Sequence, residues 1–283
     1  MAIESHLATA ADAMSLRVRG LTRRYSASGS SWRKRVAVLA ADDVIFEIPG
    51  GTTLALVGSS GSGKSTVARC VVRLEKPDAG EIWVGDTNIA QLGPGALAPF
   101  RTRIQMIFQD PATSMNSRMS AAEIIEEPLL IQRRGDRGQR RRRVAQLMEE
   151  VHLPSTALDR RALEFSGGQR QRIAIARALS LEPKLLVLDE AFTGLDFSTQ
   201  KQVATLLLEL QKAHALTYLL ISHDLNLVAR VAEWVAVMAG GKIVEQGPTP
   251  QIISRPVHKE TRALLAAAQQ LQSKRAAAQG ASR

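Results

Sequence analysis

Apolar positions come in short runs along this chain. Residues 16–57 alternate or run apolar, as in VLAADDVIFEIPGGTTLALVG, with a turn signal at Pro49-Gly50-Gly51. That pattern predicts short strands. A helix is expected from about Lys64 to Leu74, and EIWVGDTNI and IQMIF predict further strands. Between 118 and 180 the strand signal disappears. SAAEIIEEPLLIQ, QRRRRVAQLMEEVHL and the stretch after EFSGGQ read as helices. Strand and helix then alternate: KLLVLDE, a helix near 198–213, TYLLISH, a helix near 224–232, WVAVMAG and KIVEQG. Such alternation, with continuously apolar strands, predicts a mostly parallel sheet covered by helices.

The expected fold is therefore α/β, with core segments 16–111 and 181–250, an antiparallel β part, and a helical insert over 112–180. A C-terminal extension covers 251–283. Its end, AAAQQLQSKRAAAQGASR from 266, is rich in Ala, Gln and Ser and reads as frayed or disordered. No repeat of period 20–50 is evident.

The 283 residues are 45% hydrophobic and 23% charged, an ordinary globular balance. No apolar run approaches the ~18 residues that span a bilayer. The first 16 residues contain Glu4 and Asp12 and lack the apolar centre of a signal peptide. The single Cys70 excludes an internal disulfide and any all-cysteine metal site. A soluble, cytosolic chain is expected.

Net charge is +10, unevenly spread. RRGDRGQRRRR at 133–143 carries seven Arg and one Asp, and 251–283 carries six Lys/Arg and one Glu. The rest of the chain is nearly neutral. A nucleic-acid reader would line its binding face with basic charge. One loop-like run and a tail fit two solvated segments better, with anionic lipid headgroups as the alternative. No nucleic-acid partner is expected.

Candidate chemistry starts at Gly58, Ser59, Ser60, Gly61, Ser62, Gly63, Lys64 and Ser65, followed by Thr66. The eight fit G-x-x-x-x-G-K-[ST] between an apolar strand and a helix, the context in which that motif cradles phosphates. Glycines let backbone N–H groups turn toward a phosphate, and the helix adds its positive end. Lys64 is expected to reach the β and γ phosphates of a nucleotide and Ser65 to ligate Mg²⁺.

Three further strand ends carry polar residues. LLVLDE ends in Asp189, a candidate Mg²⁺ ligand, and Glu190, a candidate general base for the attacking water. YLLISH ends in His223, whose neutral imidazole suits a γ-phosphate oxygen. Gln109, after IQMIF, is a neutral amide suited to ligating Mg²⁺ and positioning water. Alone, each is as readily an ordinary loop residue; with the phosphate loop they form a set.

Ser166-Gly167-Gly168-Gln169 fits a capping box at a helix start. The two glycines weaken a helix by ~1 kcal/mol each relative to Ala, so a cap alone does not account for them. Bare backbone at a positive helix end suits close approach to an anion. The chain's own phosphate loop already cradles one phosphate, so the nucleotide of a second copy is a candidate for that anion.

Phosphate loop, Gln109, SGGQ, Asp189-Glu190, TGLD and His223 follow one another in the order of the ABC-type ATPases, and the chain resembles that family over about 16–265. The resemblance implies two subunits sandwiching two ATP molecules, SGGQ of one capping the γ-phosphate held by the other. It also implies adenine stacking by Tyr25 in LTRRY and a dimer-crossing loop at Asp196 in TGLD.

IQMIFQDPATSMNSRMSAAEIIEEPLL, EFSGGQRQRIAIARAL and RPVHKETRALLAA resemble the oligopeptide/dipeptide/nickel importer branch. That likeness implies two transmembrane permeases, a second identical or homologous ATPase subunit, a substrate-binding protein acting indirectly, and a peripheral position on the cytoplasmic membrane face. It also implies that the insert and Gln loop receive a permease's coupling helix. Ala191 and Ser117 stand where the branch usually has proline, and His258-Lys259-Glu260-Thr261 where it has His-Pro-Tyr-Thr. The reading is thus an ATP-hydrolysing subunit of an importer of peptides or similar small solutes. The alternatives are a soluble ABC ATPase of nucleic-acid repair or translation, or of another non-transport complex.

Overall fold

A computed structural model describes residues 13–26, 37–109 and 115–280. In chain order the strands are β1 (Leu16–Ser26), β2 (Ala37–Ile48), β3 (Thr53–Val57), β4 (Ala79–Val84), β5 (Thr87–Asn88), β6 (Ile104–Ile107), β7 (Leu185–Asp189), β8 (Thr217–Ile221), β9 (Trp234–Ala239) and β10 (Lys242–Pro248). The α-helices are α1 (Lys64–Val71), α2 (Pro94–Arg103), α3 (Ala121–Ile131), α4 (Arg137–Glu150), α5 (Gly167–Leu179), α6 (Phe197–His214), α7 (Leu225–Val231), α8 (Thr249–Ser254) and α9 (Lys259–Gly280). The chain divides into two compact units.

One unit comprises Arg17–Glu47, Thr53–Ala90 and Leu220–Arg283. It holds a four-stranded sheet in the order β2-β1-β4-β5, whose last pair is antiparallel. It also holds the fully buried β3, paired in parallel with β9, which pairs antiparallel with β10. The Ser222 N–H, just past β8, donates to the Leu56 carbonyl at 3.4 Å, setting the end of β8 beside β3.

The other unit comprises Met1–Leu16, Ile48–Thr52 and Gln91–Leu219. Here β6 and β7 pair in parallel, Ile107 opposite Leu188. The Thr217 N–H at the start of β8 donates to the Lys184 carbonyl beside β7. Every residue of β7 and β8 is buried, matching the unbroken apolar runs in the sequence.

The insert holds α3, α4 and α5, all starting with capping boxes: Ser120 with Glu123, Asp136 with Gln139, and Ser166 with Gln169. Each box satisfies two backbone N–H groups that a helix start leaves open. α3 packs on both α4 and α5. Neighbouring glutamates of α3 point to different partners: Glu126 to Arg140 of α4, and Glu127 to Arg177 of α5, each at 2.7 Å. Of the insert expected at 112–180, residues 112–114 lie outside the described residues.

Several expectations change. The Arg-rich run is not simply a solvated loop. Asp136 caps α4, so 137–143 form its first two turns. Arg140 pairs with Glu126, and Arg143 with Glu150 at 2.8 Å. The tail from 266 is helical through Gly280. Ala, Gln, Lys and Arg are strong helix formers, and no breaker precedes that glycine. β1 and β2, read as short, span 11 and 12 residues. α1 stops at Val71, before Leu74. α2 has no counterpart in the sequence reading. It contains Pro99 and buries only Leu97, so it carries no amphipathic stripe.

Candidate functional site

The phosphate loop joins β3 to α1 and is shaped by close backbone contact. A Cβ on Gly58 would lie 2.2 Å from the Met238 carbonyl oxygen, and one on Gly63 would lie 1.9 Å from that of Ala40. Any side chain there would push the loop off its neighbouring strands. Lys64 is only 6% exposed. Its ammonium donates to the carbonyls of Gly58 (2.9 Å) and Ser59 (2.8 Å) and to Ser62 Oγ (3.3 Å). These bonds fold the chain of Lys64 back under the loop and fix where its charge sits. Ser60 and Gly61 are exposed at the tip, while Ser65 and Thr66 are half-buried at the start of α1.

Tyr25, on β1, belongs to the same unit as the loop. Its hydroxyl lies 3.4 Å from Thr66 Oγ1 and donates to the Glu75 carboxylate. The Arg23 guanidinium stands 5.0 Å from its ring centroid. Burial, and then the Glu75 carboxylate, push the phenol above its ordinary pKa, so Tyr25 stays a donor across the neutral range. His223 is exposed just past the Ser222–Leu56 pairing, and so follows the strand neighbouring the one that feeds the loop.

The second unit gathers the acidic candidates. Asp189 is the last residue of β7 and 7% exposed. Glu190 is half-buried and has φ 49°, a left-handed conformation unusual outside glycine. Its carbonyl accepts from the Thr193 N–H at 3.0 Å, closing the turn that contains Ala191. Backbone strain of this kind, of order 1 kcal/mol, collects at functional positions. The parallel register sets Gln109, exposed two residues past Ile107, and Glu190, two past Leu188, at the same ends of neighbouring strands.

The start of α5 confirms the predicted cap. Ser166 Oγ accepts from the Gln169 N–H at 3.3 Å, and Gln169 Oε1 accepts from the Ser166 N–H at 2.9 Å. The two glycines differ in their reasons. A Cβ on Gly167 would meet Leu195 Cδ2 at an ordinary 3.7 Å, but one on Gly168 would stand 2.3 Å from Thr199 Cγ2. Gly168 is therefore also demanded by packing within the chain, which corrects the argument that only an anion accounts for both. Asp196 caps α6 and accepts from the Thr199 N–H (3.0 Å) and hydroxyl (2.6 Å). The hydroxyl and then the N–H of Thr199 hold its carboxyl below the ordinary range.

The structure thus groups Tyr25 with the phosphate loop, and SGGQ with the Asp196 loop. Sequence reading missed Glu75, Thr199 and the strand carbonyls that shape the loop. Glu75 and the carbonyls act through partners distant in sequence, and although Thr199 bonds the nearby Asp196, no local pattern marks its contact with Gly168.

The ABC transporter family pattern matches residues 41–193. A probable peptide ABC transporter ATP-binding protein of Sinorhizobium fredii is 42% identical over 89% of this chain and 72% of its own. A dipeptide transport ATP-binding protein of Haemophilus influenzae is 42% identical over 89% and 77%. Among solved structures, a dimeric ATP-binding cassette bound to ADP and Pi in a post-hydrolysis state has a TM-score of 0.72 at 26% identity, over 83% of this chain and 98% of that one. The cbiO1 protein of Clostridium perfringens, part of a cbiONQ complex, has a TM-score of 0.75 at 27% identity, over 85% and 90%. With that match, the motif order and the α/β architecture in hand, the chain belongs to the ABC transporter family, as an ATP-binding and ATP-hydrolysing cassette.

Proposed function

We propose that this chain is the ATPase subunit of an importer of peptides or similar small solutes, working on the cytoplasmic face of the membrane. The observation that carries the ATPase half is the seating of Lys64 by the Gly58 and Ser59 carbonyls in a loop two glycines hold open. The solute class is supported by relatives 42–44% identical over 89% of the chain that are named for peptide or dipeptide transport. Among the described residues no helix is long and apolar enough to cross a membrane. The transport path is therefore assigned to two permease subunits. A groove of about 740 Å³ in the insert unit, walled by Arg118, Glu123, Arg141, Asp159 and Arg161, supports docking of a permease segment.

Roles follow from side-chain chemistry. Gly58, Ser59, Ser60, Gly61, Ser62, Gly63, Lys64, Ser65 and Thr66 hold the phosphates, and Tyr25 stacks on adenine. Ser65, Gln109 and Asp189 offer the all-oxygen donors that suit Mg²⁺. When bound, the ion neutralises charge on the β and γ phosphates. Glu190 takes a proton from the attacking water, Gln109 orients that water, and His223 contacts a γ-phosphate oxygen. Ser166, Gly167, Gly168, Gln169 and Asp196 act on the nucleotide of a second ATPase subunit, identical or homologous. A substrate-binding protein delivers the solute to the permeases.

The test is Glu190→Gln trapped with Mg²⁺-ATP in native membrane extract. It should bind ATP, fail to turn over, accumulate as a dimer and bring down two multi-spanning proteins. Retained hydrolysis would sink the role of Glu190. Ribosomes, nucleic acid or soluble enzymes in place of permeases would sink the transport reading.

A further inference from the structure

The Glu75 carboxylate stands just beyond α1 and ties that helix to β1. Glu75 Oε2 accepts from the Tyr25 hydroxyl and lies 3.4 Å from Arg23 Nε, both on β1. Its Oε1 lies 3.6 Å from Arg69 Nη1 on α1. Arg23 reaches on to Asp78 at 3.1 Å, and Asp78 accepts from the Arg24 N–H at 2.6 Å. The Tyr25 hydroxyl also meets Thr66, two residues past Lys64.

An aromatic ring turns about two side-chain bonds. Fixing its plane takes a tether at the far end and a contact on a face. Here Glu75 and Thr66 hold the hydroxyl, and Arg23 stands over one face. A base that stacks on this ring would take the face that Arg23 does not cover. The same tether runs to α1, whose first residues carry the phosphate ligands. It therefore fixes the spacing between ring and phosphate loop, which a nucleotide must match in a single pose.

We propose that Glu75 is a positioning residue for nucleotide affinity, orienting the Tyr25 ring against adenine relative to the phosphate loop. This rests on the reading that Tyr25 stacks on the base. It makes Glu75 a determinant of how tightly the adenosine half of ATP is bound, not of phosphate binding. Pre-ordering a side chain contributes on the scale of immobilising one rotamer-rich group.

Titration calorimetry on the full chain with Mg²⁺-ATP and with Mg²⁺-tripolyphosphate separates the two halves. Glu75→Ala and Tyr25→Phe should each weaken ATP by about three- to tenfold, the range expected for one unfixed side chain. Combined, they should lose no more than either alone. Glu75→Gln, which keeps an acceptor for the hydroxyl, should recover most of the affinity. Tripolyphosphate should bind all variants alike. Equal losses for ATP and tripolyphosphate in Glu75→Ala would mean a structural role through α1 and overturn the proposal. If Tyr25→Ala weakens ATP while Glu75→Ala does not, stacking stands and the role of Glu75 falls. If Tyr25→Ala binds ATP like the parent, stacking itself fails and the proposal with it.

Discussion

Gly168 and Thr199 meet so closely that a β-carbon on the glycine would stand 2.3 Å from Thr199 Cγ2. Thr199 is not free to turn aside, because its hydroxyl and N–H are both bonded to Asp196. The start of α5 and the Asp196 loop are thus one packed object. Gly168→Ala should cost about 1–3 kcal/mol, the range for an added methyl in a filled site, outweighing the better helix propensity of alanine. Thr199→Ser in the same chain removes Cγ2, keeps the hydroxyl, and should restore most of the melting temperature. Gly167→Ala, with space around it, should leave stability unchanged or higher. Thermal unfolding of the four chains tests this; equal behaviour of the two alanine variants would contradict it.

Ser166→Arg should block closure of the two-subunit sandwich while leaving nucleotide binding to the isolated subunit near normal. Gel filtration with ATP in a Glu190→Gln background reads the first, and nucleotide titration the second. Lost nucleotide binding in the single subunit would contradict a role in trans.

One carboxylate clamps the C-terminal extension at 257–261. Glu245 accepts from the N–H groups of Val257 and His258, both at 2.9 Å, and from the Thr261 hydroxyl. Burial pushes its pKa up, but the Thr261 hydroxyl and the two N–H groups outweigh it and hold the carboxyl below its ordinary value. A lowered folded-state pKa means that the stabilisation is complete above the unfolded value near ~4.3. It is lost as pH falls through the folded value. In an NMR titration, the amide signals of Val257 and His258 should move with a midpoint under that of an ordinary glutamate, and Glu245→Gln should abolish the movement. A midpoint at or above the ordinary value would refute the clamp.

Cys70 is fully buried in α1, and burial, then the Glu75 charge, push its thiol up to about 12. The thiolate is the reactive form, so the folded chain should resist iodoacetamide at pH 8 and react once unfolded in urea. Intact-mass measurement before and after urea decides it. Rapid modification of the folded chain would show that α1 opens readily.

What could be read from the sequence was what closes locally. The phosphate loop, the buried strands and the capping box of Ser166 with Gln169 are each specified within about eight consecutive residues. α2 was missed because Pro99 and a single buried leucine leave no periodic stripe. The Arg-rich run was misjudged because Glu126 reaches Arg140 only once α3 and α4 pack, and Glu150 meets Arg143 only once the run winds into α4. The reason for Gly168 lies on another helix, and the partner of Tyr25 is 50 positions away. The left-handed backbone of Glu190 has no sequence mark at all, since glutamate does not favour it.

The three capping boxes carry a consequence for how such a subunit can diverge. Each fixes its helix start through bonds that span only four residues, independent of what covers the helix. Side chains on the outer faces of the insert can therefore be exchanged to suit a different membrane partner without sliding any helix along its own axis. The glycine-bearing start of α5 keeps its address while the outer surface of the insert is rewritten.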